Sequence, residues 1–167
     1  GILFLYIYSL LKKEHRALQT FAYTDILTGA DNRNRFVTDL PALLREPVDH
    51  AMILMNVNGF KFVNEFFGFE KGNILLRHIS AVLRGSIREG EWYYRDSAYH
   101  FGLLVSYQSK EDLIDRINQI HQEINDYTVS PNQDYRINCN FGIHIIEADR
   151  SRGREVLSPD TAINGAL

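Results

Sequence analysis

The stretch that decides the fold reads Met52-Ile-Leu-Met-Asn-Val-Asn-Gly-Phe-Lys-Phe-Val-Asn64. The run from Ala51 to Val57 is almost continuously apolar, a pattern typical of a buried strand. The side chains of Asn56 and Asn58 emerge where this run closes. The sequence therefore predicts a buried strand that ends in two amide side chains.

Outward from this strand, the periodicity alternates between helix and strand. Three segments have the spacing of amphipathic helices, namely 32–45, 70–88 and the segment that carries Leu113, Ile117, Ile120 and Ile124. Three others have strand patterns, namely 91–95, 100–105 and the alternating apolar residues from Ile137 to Ile145. Strands 91–95 and 100–105 leave Asp96 to Tyr99 at the tip of a hairpin. Periodicity alone predicts an α/β domain.

The composition indicates one globular domain. The chain has 167 residues, of which 45% are hydrophobic, and these suffice for a single core. The formal net charge is only −3, and without a long basic run we expect no nucleic-acid partner. The single cysteine, Cys139, lies in an apolar alternating run and is expected to be a small buried side chain.

Motifs in the correct order and spacing give the chain a family resemblance. They are Asp25-Ile-Leu-Thr-Gly-Ala-Asp-Asn-Arg-Asn-Arg-Phe36, the 52–64 stretch, Gly68-Phe-Glu-Lys-Gly-Asn73, Tyr94-Arg-Asp-Ser-Ala-Tyr-His-Phe101 and Asn140-Phe-Gly-Ile143. Together they resemble the GGDEF domain of diguanylate cyclases over about residues 22 to 167. The resemblance implies the palm-like α+β fold of nucleotidyl cyclases, with a central, mostly antiparallel sheet flanked by helices.

The resemblance also implies a metal site, and this sequence departs from it. In the family, carboxylates at the end of the first strand and in the GGDEF hairpin hold the divalent metal. Here the strand position is Asn56, and the hairpin letters read Ser97, Ala98, Tyr99, His100 and Phe101. Magnesium prefers anionic oxygen ligands, and His100 suits softer metals. We therefore expect no catalytic residue, no metal site and no firm cofactor, with Mg²⁺ relevant only if residual GTP binding exists.

The positions that would contact the nucleotide retain more of the family pattern than the metal positions do. By resemblance, Asn64 and Asn73 stand at the two positions that contact the guanine edge, next to Phe60 and Lys61 of the same motif. Asn73 replaces a usual aspartate, and its amide still offers a donor and an acceptor. The structural alternative is that both asparagines serve as caps or turn residues.

A remnant of the family's product-binding site maps onto Arg88 and Glu91. Counting back nine positions from Ser97 gives Arg88, and the acid of the R-x-x-D pattern becomes Glu91. An arginine suits bidentate recognition of phosphate or guanine. The alternative interpretation is an exposed helix end, where a basic residue is electrostatically favoured in any case.

The first residues have two compatible interpretations. Residues 1–11 are free of charge and are followed by Lys12, Lys13 and Arg16, as expected for the cytoplasmic end of a transmembrane segment. The alternative is a helix that pairs with a second copy through a heptad-like stripe of Phe4, Ile7, Leu11, Leu18 and Phe21. We assign residues 1–21 to such a membrane-proximal or dimerisation helix, and 22–167 to a degenerate GGDEF domain that lacks the end of its last helix. The start of that helix is expected at 158–167.

The resulting functional prediction is an inactive regulatory or dimerisation domain in bacterial cyclic di-GMP signalling. It is expected at the cytoplasmic face of the inner membrane, as a homodimer that binds GTP or cyclic di-GMP and controls a neighbouring EAL phosphodiesterase domain. Two alternatives stay open. One is residual cyclase activity that uses Asp96 or a substrate-borne metal, and the other is a cyclic di-GMP receptor built on Arg88 and Glu91.

Overall fold

A computed structural model describes residues 1–45, 47–131 and 135–148. In these residues, helices and strands follow one another in the order of an α+β domain. The helices are α1 (Ile2–Tyr23), α2 (Arg33–Leu43), α3 (Phe60–Phe67), α4 (Phe69–Ser86) and α5 (Lys110–Asn125). The strands are β1 (Asp31–Asn32), β2 (His50–Asn58), β3 (Trp92–Ser97), β4 (His100–Ser106) and β5 (Asn138–Ile146).

The five strands form one sheet in the order β1-β3-β4-β2-β5. Only the two-residue strand β1 runs parallel to its neighbour, and β3, β4, β2 and β5 pair antiparallel. The predicted central, mostly antiparallel sheet flanked by helices is therefore confirmed. The strand β2 lies between β4 and β5, so residues 52–58 occupy the interior of the sheet.

Each face of the sheet carries its own apolar core, because side chains alternate along a strand. On one face, α3, α4 and α5 pack against the odd-numbered side chains of β2, such as Ile53 and Met55. On the other, α2 covers Met52 together with Tyr94 and Leu104. We call the second surface the α2 face. The side chains of the hairpin divide between these two faces.

The helix α1 is not part of either core. No residue of α1 is buried against the described part of the chain. Its apolar side chains are largely exposed, from 46% at Leu10 to 88% at Ile2. Among the described residues, no helix combines the length and the apolar character needed to cross a membrane.

Local details refine the predicted boundaries. Asn32 caps α2, and its side-chain oxygen accepts a hydrogen bond from the amide of Arg35 at 3.1 Å. The helix predicted to reach Arg88 ends at Ser86, and the hairpin tip is a turn at 98–99. Asn64 and Asn73 lie inside α3 and α4, and neither is the N-cap residue of its helix. Residues 158–167 lie outside the described residues.

Candidate functional site

A row of polar side chains crosses four strands at one end of the α2 face. Asn56 on β2 is in register with His100 on β4 and with Asn140 on β5, and His100 pairs in turn with Ser97 on β3. Directly paired residues of antiparallel strands share a face, with Cβ atoms about 4.5–5.5 Å apart. Asn56 lies four positions after Met52 and so shares its face. We call these four residues the polar row.

The amide of Asn56 is the least satisfied group in the polar row. Its side-chain oxygen is buried and has no hydrogen-bond partner in the described structure. Beyond it, the side-chain nitrogen of Asn140 donates to the side-chain oxygen of Asn58 at 3.1 Å. A buried polar group without a partner is uncommon and calls for an explanation.

The ring of the hairpin residue Tyr99 contacts His100 of the polar row, with the two ring centroids 4.6 Å apart, and extends to the opposite face of the sheet. The same ring lies 5.6 Å from that of Phe60 and packs against the core on that opposite face. The carbonyl oxygen of Tyr99 accepts a hydrogen bond from the amide of Val57 at 3.2 Å, which fixes the turn against β2. The side chains at the two family metal positions, Asn56 and Tyr99, therefore diverge.

The nearby acid Asp96 does not replace the missing carboxylates. It lies at an irregularity between Arg95 and Ser97, where the register of β3 against β4 shifts. Its carboxylate meets Arg33, at the start of α2, at 3.6 Å. The contact with Arg33 places the Asp96 carboxylate on the α2 side, at the register shift where regular alternation of side chains is interrupted.

The donor set at these positions does not fit Mg²⁺. Asn56 supplies a neutral carbonyl oxygen, Tyr99 faces the other core, and His100 supplies an imidazole nitrogen. In residues 1–45, 47–131 and 135–148, no group of three or more His, Cys, Asp or Glu side chains could hold a metal ion. Because Mg²⁺ is usually held through carboxylates and phosphates, we derive no metal-assisted step here.

The structure packs the Asn64 side chain against α4, the helix that carries Asn73. A Cβ atom built on Gly72 would lie 2.0 Å from the side-chain oxygen of Asn64 and 3.2 Å from the ring of Phe60. Gly72 thus lets the Asn64 side chain rest directly on α4, one residue before Asn73. Both asparagines are partly exposed as residues.

The other two predicted nucleotide contacts are less available. The side chain of Phe60 is buried in the core at 7% exposure, so only its backbone faces the loop between β2 and α3. Lys61 is exposed and lies 3.6 Å from Glu65. Next to this loop, the Tyr135 hydroxyl donates to the carbonyl oxygen of Gly59 at 3.4 Å, a contact that the sequence did not indicate.

At the predicted product-binding remnant, the carboxylate of Glu91 is already bound by other groups of the protein. Its side chain is fully buried, and its two oxygens form a bidentate ion pair with Arg116 of α5. The same carboxylate also accepts the amides of Arg88 at 2.8 Å and Ser106 at 3.0 Å. Burial alone would raise the pKa of Glu91, but the hydrogen bonds from Arg116 and Arg88 outweigh it and lower that pKa.

Arg88 itself is exposed at the surface, whereas Glu91 faces inward. The two residues therefore do not present a shared recognition surface in this structure. Binding of cyclic di-GMP through both would require the Glu91 carboxylate to leave Arg116. The assignment of Arg88 and Glu91 as a product-binding remnant stays a prediction.

A second ion pair joins the hairpin to the segment after α1. Both carboxylate oxygens of Asp25 accept from Arg95 at 2.9 Å, and one also accepts from the amide and hydroxyl of Thr28. The guanidinium of Arg95 reaches on to the carbonyl oxygen of Ala98 at 3.1 Å. Burial opposes ionisation of Asp25, but the bonds from Thr28 and Arg95 prevail and lower its pKa.

Sequence reasoning missed Arg116 and the link between Asp25 and Arg95. A signal existed for Arg116, because it occupies a position on the apolar stripe of α5, between Leu113 and Ile117. A charged residue on such a stripe needs a buried partner. For Asp25 and Arg95, which are 70 residues apart, only the fold reveals the contact.

The described geometry agrees with comparisons to known proteins. The family model "Diguanylate cyclase, GGDEF domain" matches residues 22–164. Among curated relatives, the chain is 28% identical over 152 residues to the probable diguanylate cyclase DgcE of Escherichia coli, covering 88% of this chain and 14% of that protein. It is 24% identical over 158 residues to the bifunctional diguanylate cyclase/cyclic di-GMP phosphodiesterase MucR of Pseudomonas aeruginosa, covering 92% of this chain and 23% of that protein.

Solved structures share the fold. The coiled coil and GGDEF domain of DgcB from Caulobacter crescentus, in complex with cyclic di-GMP, superposes with a TM-score of 0.80 at 15% identity, covering 97% of this chain and 85% of that one. The S helix-GGDEF-EAL portion of LapD from Vibrio cholerae, bound to cyclic di-GMP, gives 0.67 at 22% identity, covering 96% and 36%.

The chain thus spans less than a quarter of the length of the first two curated relatives. The family match, in contrast, covers most of this chain, and it begins at Ala22, near the end of α1. It includes the polar row, the hairpin and both asparagines of the α3–α4 contact. The chain belongs to the diguanylate cyclase GGDEF domain family.

Proposed function

We propose that this chain is a catalytically inactive GGDEF domain that serves regulation and dimerisation in bacterial cyclic di-GMP signalling. The observation that carries this proposal is the polar row, whose side chains supply no negative charge, together with the packing of Tyr99 against the core on the opposite face of the sheet. Joining two GTP molecules needs divalent metal to stabilise charge on the transferring phosphate. Asn56 and His100 supply no negative charge for such a metal.

The direct test is product formation. The purified domain is incubated with GTP and Mg²⁺ or Mn²⁺, and cyclic di-GMP is quantified by chromatography. We expect no product above a protein-free control. Metal-dependent product would establish the alternative of residual cyclase activity. In that case Asp96→Asn would show whether Asp96 supports it, and Asp39→Asn, an acid on the exposed side of α2, is the matched control.

We further propose that the domain binds GTP through Asn64 and Asn73. The support is the resemblance at these two positions, the packing of the Asn64 side chain against α4 at Gly72, and the partial exposure of both residues. Calorimetric titration with GTP should show binding, and Asn64→Ala should weaken it about tenfold, since a hydrogen-bonded contact left unmade costs about 1–3 kcal/mol. Asn118→Ala, an exposed amide on α5, is the control.

Cyclic di-GMP is the second candidate ligand, through Arg88 and Glu91. The structural support is weaker here, because the Glu91 carboxylate is committed to Arg116. Titration of the wild-type domain and of Arg88→Ala tests this assignment. Loss of binding in the variant would support it, and equal binding would remove this site.

Self-association is proposed through α1. The supporting observation is that the stripe Phe4, Ile7, Leu11, Leu18 and Phe21 has no cover in the described chain. Burying one leucine from each of two copies contributes about 1.5–3 kcal/mol apiece. Leu11→Ser should therefore raise the dimer dissociation constant more than tenfold in sedimentation experiments. Leu5→Ser, an equally exposed leucine off the stripe, should change it little.

We propose that the protein lies at the cytoplasmic face of the inner membrane and that a neighbouring EAL domain is its output. The basic residues Lys12, Lys13 and Arg16 directly after the apolar run support the first point. The similarity to MucR and to the LapD portion that contains an EAL domain supports the second. Fractionation of the native full-length protein, and phosphodiesterase assays on it with and without GTP, test both.

A further inference from the structure

A cluster of aromatic rings lies on the outer surface of α3. Phe62 and Phe66 stack with their ring centroids 5.1 Å apart, and Phe62 also stacks on Tyr135 at 5.3 Å. Phe67 lies 5.1 Å from Phe66 and 5.6 Å from Tyr135, and so closes the cluster. We call Phe62, Phe66, Phe67 and Tyr135 the aromatic patch. It lies on the face of the sheet that carries α3, α4 and α5, away from the polar row.

The outer rings of the patch are not needed for the core. Phe60 and Val63 of the same helix are buried, whereas Phe62 and Phe66 remain 44% and 59% exposed. Phe69, at the start of α4, is 76% exposed. These three exposed phenylalanines present roughly 350 Å² of aromatic surface, since an aromatic side chain offers about 150–250 Å². An exposed apolar patch of this size typically marks an interaction site.

The patch is ordered before any partner binds. Its rings hold one another, and the Tyr135 hydroxyl donates to the carbonyl oxygen of Gly59 at 3.4 Å. Aromatic side chains have few rotatable bonds, so little conformational entropy is lost when such a surface is covered. Phenylalanine and tyrosine are also enriched at the centre of protein interfaces. The patch therefore has the composition and the order of a protein-binding surface.

The charges beside the patch indicate which protein it fits. Lys61 and Glu65 lie four residues apart on one flank of α3, with the ammonium nitrogen 3.6 Å from a carboxylate oxygen, and both side chains are largely exposed. When two copies of a helix lie antiparallel about a two-fold axis, this flank faces the same flank of the second copy. Each Lys61 then lies next to the Glu65 of the other copy, whereas a parallel arrangement sets like charges opposite each other. The surface is thus self-complementary for an antiparallel pair.

We propose that two copies of this chain associate through the aromatic patch, with α3 of one copy antiparallel to α3 of the other. This contact is separate from the proposed pairing through α1, so the two contacts together join α1 dimers into tetramers. The exposed aromatic area of two copies is roughly 700 Å² before flanking residues are counted. An interface of this size belongs to the weak and transient class. The patch contact is therefore the weaker of the two and forms at concentrations at which α1 is already paired.

The first experiment measures the association of the full chain by sedimentation velocity over a series of concentrations. We expect the wild type to pass from dimer to tetramer as the concentration rises. In Phe66→Ser the tetramer should form about tenfold more weakly or not at all, because an aromatic anchor at the centre of the contact is lost. Ile114→Ser removes a 54% exposed apolar side chain from α5, and this matched control should associate like wild type. In Leu11→Ser the patch alone should support a weak dimer, which the addition of Phe66→Ser should abolish.

Charge reversal tests the antiparallel arrangement. Lys61→Glu leaves only carboxylates on this flank and Glu65→Lys leaves only ammonium groups, so neither variant alone should form the patch contact. An equimolar mixture of the two variants should restore it, because each positive charge then meets a negative one. The double variant Lys61→Glu/Glu65→Lys should also associate, since it only exchanges the two charges. Lys110→Glu, at the start of α5, is the matched control and should associate like wild type.

The outcomes separate this inference from the proposed function. Association of the wild type that never exceeds the α1 dimer and equals that of Phe66→Ser would overturn the inference and leave the surface to a different protein, such as the proposed EAL domain. Single charge variants that associate like wild type, or a mixture that does not recover, would refute the antiparallel pair. Association that Leu11→Ser leaves unchanged and Phe66→Ser abolishes would support the patch and remove the proposed pairing through α1.

Discussion

Replacing Arg116 by Met would leave the carboxylate of Glu91 buried without its cation. In the wild type this carboxylate receives two hydrogen bonds from Arg116, and it also accepts the amides of Arg88 and Ser106 and the Ser106 hydroxyl. Removing one partner of a buried pair destabilises a protein by about 3–5 kcal/mol. Because three donors to Glu91 remain, we expect the lower end, about 3 kcal/mol.

This loss is large against a typical free energy of unfolding of about 5–15 kcal/mol. For a chain of this size it corresponds to a decrease in Tm of roughly 6–12 °C. Urea denaturation followed by circular dichroism measures the free energy of unfolding, and calorimetry measures Tm. Lys61→Met removes a partner of Glu65 at 3.6 Å on the surface, and this control should change stability by less than about 1 kcal/mol.

The pH dependence of the free energy of unfolding is a second test of the Arg116–Glu91 ion pair. In the wild type the pKa of Glu91 is lowered from 4.5, so its stabilisation is complete above pH 4.5 and is lost as the pH falls through the lower folded value. Without Arg116, burial raises the pKa of Glu91 instead. The carboxyl group is then protonated more readily in the folded variant, and the difference in stability from wild type should shrink as the pH falls towards 4.5.

Two results would refute this reasoning. A destabilisation below about 1 kcal/mol at neutral pH would mean that the pair contributes no more than a surface contact. A difference that stays constant between neutral pH and pH 4.5 would mean that the variant acts through packing and not through the charge of Glu91. Combining Arg116→Met with Glu91→Gln in a double-mutant cycle separates the two contributions.

Three further predictions concern the packing and the backbone around the candidate site. Gly102→Ala would place a Cβ atom 2.2 Å from the ring of Tyr94, and overpacking of this kind should cost about 1–3 kcal/mol, measured by urea denaturation. Burial raises the pKa of Cys139 to about 12, so this thiol should react with a thiol reagent in the native state far more slowly than in urea. Ala98 has a φ of 38°, so Ala98→Gly should stabilise the domain by about 1 kcal/mol, and a loss of stability would refute the strain.

The helices and strands with a regular apolar period were predictable from sequence. The strand β2 and the helices α4 and α5 have continuous or helical apolar patterns, which report on burial residue by residue. The two-residue strand β1 was not predicted, because it is too short to show an alternating apolar pattern. The predicted end of α4 was also two residues too long, since Ile87 has an extended backbone with a ψ of 133°.

The site was predictable only where it depends on residue type. The absence of acids at Asn56, Tyr99 and His100 is visible in the sequence. Which of these side chains meet depends on the register of β2, β4 and β5, and a register shift of one residue would reverse their faces. The commitment of Glu91 to Arg116, 25 residues away, likewise required the packing of α5 against the sheet.

The retained and the lost parts of the family pattern occupy physically different places. Gly72 and the Asp25–Arg95 pair are fixed by close contacts, and changing them would disturb packing or leave charges unpaired. Ser97 and Ala98 are exposed at the hairpin tip, so their side chains contribute little to the core. Residues at the hairpin tip can therefore change while the rest of the domain stays folded. Because Arg95 holds both Asp25 and the carbonyl oxygen of Ala98, the segment after α1 stays connected to the hairpin even without the acids that metal chemistry requires.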